Sequence, residues 1–416
     1  MSSNFRRVKY ACYTTNIAMS VISNLSPLLF LTFRDLYGIS FSLLGLLVLV
    51  NFVTQLTVDL VFSFFSHKFN IPLAVKMTPV LSVVGLLVFS AAPFIFPNNV
   101  YLGLVIGTII FSASGGFAEV LISPVIAAIP ADNPEGEMSK LHSIYAWGVV
   151  GTVIFTTLFI MLAGGKAWWV LSLIFALIPL VASILYATST LPELEKPERA
   201  SGVLTYIKDR ALWLCLVAIF LGGAAECTMA QWCSSYLEEA LEIEKVWGDV
   251  FGVALFSVML GLGRSTYAKY GKNVTRVLTF GAIGASVCYL TAVFSGSAVI
   301  GLIACAVTGL CVSMMWPGCL IVGAERFPTA GVFIYAMMAS GGDLGASVGP
   351  QLVGIITDKV AASEIGAKIA EATSLTCEQI GIKAGMLVGA LVSIAAVFVY
   401  AYMWRSSKKN TTGDKL

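Results

Sequence analysis

The chain has 416 residues, 58% of them hydrophobic and only 12% charged, with a mean hydropathy of +0.88. No soluble globular class has that balance, and the solvent it implies is lipid. The 25 Lys and Arg against 23 Asp and Glu leave a formal net charge of +2, which supplies neither a basic surface for nucleic acid nor an acidic tail.

In chain order, Met1-Ser2-Ser3-Asn4-Phe5-Arg6-Arg7 runs straight into an apolar stretch with no small-residue cleavage site, so the first segment is expected to be a membrane helix and not a removable leader. Crossing the hydrocarbon core takes about 20 apolar residues. Segments of that length occupy 10–33, 39–65, 73–95, 100–129, 141–164 and 168–190. A second set occupies 211–236, 247–268, 274–295, 298–325, 329–357 and 382–404. Between the sets, Leu191 to Gly202 is polar and proline-containing, the composition of an exposed linker. The expected fold is an all-α membrane protein of twelve transmembrane helices in two pseudo-symmetric six-helix bundles. Those bundles are 1–190 and 211–404, with a cytoplasmic linker at 191–210 and a cytoplasmic tail at 405–416. With the N-terminus inside, only Arg34, Lys166, Lys245, Lys359, Lys368 and Lys383 fall on the outer side, so the positive-inside rule places both termini in the cytoplasm. The nine cysteines lie in apolar runs without metal-ligand spacing and are expected to be small buried hydrophobes.

Polar residues inside the spans carry the functional signal. Span one has Asn16, Ser20 and Asn24 on one stripe, and span two repeats the device with Asn51, Gln55 and Asp59. Such stripes face either a cavity, where amides recognise hydroxyl groups, or a partner helix. Asp59 lies toward the cytoplasmic end, where a gating or structural role is expected. Glu119, Glu226 and Asp343 fall near mid-span, where an ionised side chain costs about 2.5 to 3.5 kcal/mol on the lenient insertion scale. Glu119 shares a face with Ser112, Gly115 and Ser123, and Asp343 with Ser340 and Ser347; such small neighbours leave room for water or ligand. Lys76, Arg264, Arg276 and Arg326 map to cytoplasmic span ends, so the acids are expected to lack an internal counter-ion and to act in proton coupling. The alternative is three protonated acids bonded to neighbouring backbone. Without a central cation, neutral or cationic substrates are expected. His142, Trp147, Gln231, Trp232, Trp316 and Ser347 complete the candidate substrate lining, with His142 open to a pH-responsive role at the cytoplasmic mouth. Trp168, Trp169, Trp213, Trp247 and Trp404 lie near span ends and are expected in the interfacial belt. Gly341, Gly345 and Gly349, at every fourth residue, mark a close helix contact. The same stretch matches G-x-S-x-G, but that motif needs a strand-to-helix elbow and a partnered His.

The two halves also correspond. Ile129-Pro130 and Phe327-Pro328 end equivalent spans, and Gly148 and Gly151 match Gly342 and Gly345. The loop Gly323-Ala324-Glu325-Arg326-Phe327-Pro328 is similar to the Glu-x-Phe-Pro element of sugar carriers. Ser66-His67-Lys68-Phe69-Asn70 and Lys269-Tyr270-Gly271-Lys272 stand where the signature loops belong. On these features the chain resembles the major facilitator superfamily over almost its whole length, and within it the fucose-permease-like group. That resemblance implies alternating access and proton-coupled sugar transport with acids in the first and fourth spans. Here the fourth span keeps Glu119, whereas the first has Asn16 and Asn24. Asp59, Arg264, Glu325 and Arg326 are the expected gating residues.

The chain has no P-loop, no metal-ligand set and no nucleophile constellation, so neither an ATPase nor an intramembrane enzyme is expected. The leading expectation is a monomeric secondary transporter in the cell membrane, a proton-coupled symporter of a small neutral polar solute, a sugar first. It needs no cofactor; its partners are the solute, protons and the lipid bilayer. The alternative is a proton-coupled exporter of cationic drugs or metabolites. Antiporters carry a Gly-Pro element in span five, but Gly349-Pro350 falls in span eleven, which favours symport.

Overall fold

The structure, a computed structural model, describes residues 3–65, 68–130, 134–193, 206, 208–327 and 332–413. All regular structure among these residues is helical. The chain divides into two compact units, one of Met1–Ile39 with Val50–Ala200 and the other of Ser40–Leu49 with Ser201–Leu416. Ten helices are long and apolar enough to cross a membrane, or eleven when one bent pair counts as a single span.

The bent pair opens the chain. Helix α1 (Ser3–Leu28) contains Pro27, which lacks the N–H that would continue the ladder, and the axis turns by 47° into α2 (Phe30–Tyr37). Gly38, at φ +64°, ends α2 in the left-handed conformation that glycine adopts without strain. Then come α3 (Phe41–Phe65), α4 (Ile71–Ile95), α5 (Val100–Ala127), α6 (Pro134–Ala163) and α7 (Trp168–Ala187). Asn70 caps α4 and Asn99 caps α5 by accepting from Leu73 N and Leu102 N.

Lipid tails are as apolar as Leu, so burial within the bundle gains close packing more than hydrophobic transfer. Glycines supply that packing between α4 and α5. A Cβ at Gly85 would lie 2.4 Å from Phe111 N, and one at Gly107 2.7 Å from Phe89 Cα. Trp168, expected in the belt, is fully buried: its indole donates to Tyr37 Oη at 2.9 Å and packs edge-on to Phe33 and Phe89. Trp213 and Trp247 are exposed as expected.

Outside the membrane segment, Glu137 at the start of α6 pairs with Lys9 and accepts from Tyr13 Oη at 2.7 Å. The hydrogen bonds to Lys9 and Tyr13 hold its carboxyl below the ordinary carboxylate range. A depressed carboxyl contributes stability above its unfolded pKa, and that contribution is lost as pH falls through the folded value. Glu137→Gln is therefore expected to melt below wild type near neutral pH, with the gap closing below about pH 4. A gap in melting temperature that stays constant across that range would show that the carboxylate charge contributes nothing.

In the second unit, Asp209 caps α8 (Arg210–Leu241). A short turn at Lys245–Trp247 and a π-helical segment at Gly248–Ala254 lead into α9 (Leu255–Tyr270). Next come α10 (Val274–Phe294), α11 (Ala298–Val312), α12 (Met315–Arg326), α13 (Val332–Ala361), α14 (Glu364–Thr373) and α15 (Cys377–Gly413). The segment after α13 forms a separate short amphipathic helix, α14. The expected tail from residue 405 continues α15 as helix to Gly413.

Helix α8 is central to this unit. Gly341, Gly345 and Gly349 lay α13 against it, with a Cβ at Gly345 falling 2.0 Å from Phe220 O. Tyr289 on α10 and Tyr400 on α15, both buried, donate to the carbonyls of Ala225 and Ala218. The same unit includes the first turn of α3, where the Phe41 and Ser42 amides donate to Asp358. All nine cysteines are free thiols.

Candidate functional site

Each unit holds an acidic site. In the first, α3 carries the expected polar stripe into contact with α5. Gln55 Nε2 and Ser112 Oγ both donate to Asn51 Oδ1, at 3.0 and 2.5 Å. The room that Gly115 and Gly116 leave on α5 is not open to ligand. A Cβ at Gly115 would lie 3.2 Å from Gln55 Cδ, and one at Gly116 2.9 Å from Val58 Cβ and 3.1 Å from Asp59 Oδ1. The glycines let α3 approach until Asp59 and Glu119 bring carboxylate oxygens within 4.8 Å of one another. Asp59 is buried and its Oδ1 has no hydrogen-bond partner, whereas Glu119 is exposed. Among the described residues neither carboxylate has a basic partner. Asp59, expected as a gate, thus stands beside the mid-span acid. Sequence periodicity placed each on its helix face but could not show that the two faces meet.

Other candidates in this unit are differently placed. Asn16 Nδ2 donates to Leu141 O at 2.7 Å, and Asn24 Nδ2 donates to Ser20 O one turn back. Ser20 packs on Gly148, where a Cβ would lie 2.3 Å from its Oγ. The span-one stripe therefore faces a partner helix along Asn16 and Ser20. Trp147 is 72% exposed. His142 lies in α6, with its side chain outside the described residues, as are Ser66, His67, Pro328 and linker residues 194–205.

The second unit overturns the expectation that its acid lacks a counter-ion. Arg264 Nη2 donates to Glu226 Oε1 and Oε2 at 2.9 and 3.2 Å, and Arg264 Nε donates to Ser313 O at 3.1 Å. The physical reason lies in α11 and α12. Pro317 has no N–H to return to the carbonyl four residues back, so Ser313 O is orphaned where the helix breaks, and the guanidinium takes it. Arg264 sits near the end of its span, but its long side chain carries the charge back to the middle of α8, a helix about 48 Å long at 1.5 Å per residue. The Arg264 side chain is 43% exposed and that of Glu226 14%. Trp316 is half-buried, its indole seated on Gly342, where a Cβ would lie 2.6 Å from the ring, and on Gly223.

Four further candidates here are buried. Trp232 is fully buried, donates to Pro350 O at 2.9 Å and faces Phe41, so it offers no surface to a solute. Ser347 is fully buried, with its hydroxyl on Asp343 O. Asp343 and Gln231 are buried as well. Glu325 and Arg326 are exposed at the end of α12. A fifth acid within a span, Asp249, is not among the residues expected from the sequence. It is fully buried in the π-helical segment and pairs with Lys245 at 3.3 Å. Its i, i+4 spacing from a lysine was the available signal.

The family model of the Major Facilitator Superfamily matches residues 11–350. No curated protein matches the chain in sequence. Among solved structures, a bacterial homologue of the human lysosomal transporter Spinster, inward-facing and unoccupied, aligns with a TM-score of 0.73 at 13% identity, over 98% of each chain. A D-xylose–proton symporter aligns with 0.72 at 15% identity, covering 95% of this chain and 97% of its own. The E. coli fucose:proton symporter FucP aligns with 0.61 at 17%, covering 96% and 99%. The fold, with its polar sites inside apolar helices, is that of a membrane transporter and not an enzyme. The chain belongs to the Major Facilitator Superfamily.

Proposed function

We propose that the protein is a proton-coupled symporter of a small polar solute, with a sugar as the leading class, working by alternating access in the cell membrane. The observation that carries this reading is the Asp59–Glu119 pair. Two ionised carboxylates at 4.8 Å repel by about 3 to 4 kcal/mol at an effective dielectric of 20. Either charge alone, with no basic partner among the described residues, is also costly inside an apolar bundle. One proton removes the repulsion and leaves the pair a single shared charge, and its arrival and departure give the carrier a state that reorients and one that resists. Glu226, paired with Arg264, leaves the set of unpartnered acids. The argument for a strictly neutral solute loses its premise with it. The sugar–proton symport named for two structural neighbours supports the solute class, and the Lys and Arg distribution supports cytoplasmic termini.

The test is uptake by proteoliposomes of labelled D-xylose, L-fucose and related sugars under an inward proton gradient, an inward sodium gradient, or neither. Accumulation driven only by the proton gradient is expected. Accumulation driven by sodium, or efflux of cationic dye against inward proton flow with no sugar uptake, would overturn the reading in favour of cation coupling or export.

A further inference from the structure

The Arg264–Glu226 pair is built for more than locking helices. The guanidinium is a planar fork of five N–H donors. Nε is held by the carbonyl that Pro317 orphans, and Nη2 by Glu226, while Nη1 has no partner among the described residues. At 43% exposure the group is open, and a charge inside a span faces the bundle interior or a water-filled path and not lipid. The anchoring fixes where the free donor points. The half-buried indole of Trp316, three residues beyond Ser313, gives the same unit an apolar surface.

We infer that Arg264 is the docking point for the carboxylate of an anionic solute, a small sugar acid or hydroxy acid, and that Glu226 takes a proton when the solute displaces it. The inference rests on the proposed symport and narrows its substrate class. The charge balance closes. Before binding, Arg264 and Glu226 sum to zero; afterwards the guanidinium, the protonated Glu226 and the solute carboxylate again sum to zero. One proton from the aqueous side goes to a Glu226 oxygen as the two N–H···O bonds from Arg264 pass to the solute. Anion and proton therefore travel together without net charge movement. Other groups near Glu226 are Asp343 on α13, Tyr400 on α15, Tyr289 on α10, Cys319 on α12 bonded to Tyr400, and Cys227 beside it on α8. Asp343 is the competing proton acceptor.

The test uses the purified full-length protein and matched probes, D-glucuronate, D-gluconate and L-lactate against D-glucose, with affinity read by calorimetry and thermal shift at pH 5.5 and 7.5. At least one carboxylate is expected to bind more tightly at the lower pH, by up to about a hundredfold, the limit that one proton per anion sets over two pH units. Glu226→Gln should bind it at both pH values without that dependence, Arg264→Gln should lose it, and Pro317→Ala, which restores an N–H to Ser313 O, should weaken it. Asp343→Asn should keep the dependence. If Arg264→Gln misfolds, the charge-balanced double variant Glu226→Gln/Arg264→Gln serves in its place. Binding confined to glucose, no carboxylate response, or a response surviving loss of Arg264 would overturn the inference. If glucose alone binds, and its proton-driven uptake still needs Asp59 and Glu119, the symport reading stands without it.

Discussion

Gly345→Leu is expected to yield no monodisperse protein. A Cβ at this position would lie 2.0 Å from Phe220 O, 2.8 Å from Phe220 C and 3.0 Å from Ala224 N. All three are backbone atoms of α8, so no rotamer change relieves the conflict. Overpacking against side chains costs about 1 to 3 kcal/mol, and a clash with a helix backbone exceeds that because α13 must withdraw along its whole contact. The tyrosines that hold α8 from α10 and α15 leave it no room to follow. Gly151 is the matched control, since a Cβ there meets nothing within 4 Å. Size-exclusion profiles of detergent-extracted variants decide the point. Gly151→Leu should run as wild type and Gly345→Leu should aggregate. A well-behaved Gly345→Leu with unchanged melting would mean that α13 does not pack on α8 in this way.

The sequence was most informative where one helix alone sets the answer. Apolar length came near the count, with ten helices, or eleven with the bent pair, long and apolar enough to cross a membrane against the twelve expected, and the fourfold glycine spacing in α13 identified its packing face. It was least informative where two helices must meet. Arg264 and Glu226 are 38 residues apart, and Arg264 and Ser313 are 49 apart. Nothing local to any of them announces the others. The one clue was Pro317, whose missing N–H demands a substitute donor for Ser313 O, but a sequence does not say which donor arrives. Trp168 and Trp232 show the same limit, because a tryptophan near a span end is lipid-facing or core according to its neighbours from other helices. Asp59 was assigned by depth along its own helix, whereas its meaning comes from Glu119 on another.

That pairing sets the second large effect. Asp59→Asn and Glu119→Gln each remove one of two repelling charges while keeping the shape, so the fold and the solute path are expected to survive. The coupling should not. A carrier whose reorientation no longer depends on proton occupancy equilibrates its solute, and the accumulation ratio under an inward proton gradient should fall to about 1. Counterflow needs only exchange of labelled for unlabelled solute and should stay within about threefold of wild type, because no differential binding between the two orientations is required for it. The double variant should match the singles, since both residues serve one shared proton and their effects are not additive. If instead the singles keep partial accumulation and only the double variant falls to a ratio of about 1, the residues act at separate sites. If accumulation persists undiminished in either single variant, a different group carries the proton. Glu226 is then the first alternative, because exchange of its guanidinium partner for a solute carboxylate would by itself draw one proton through the carrier with each anion.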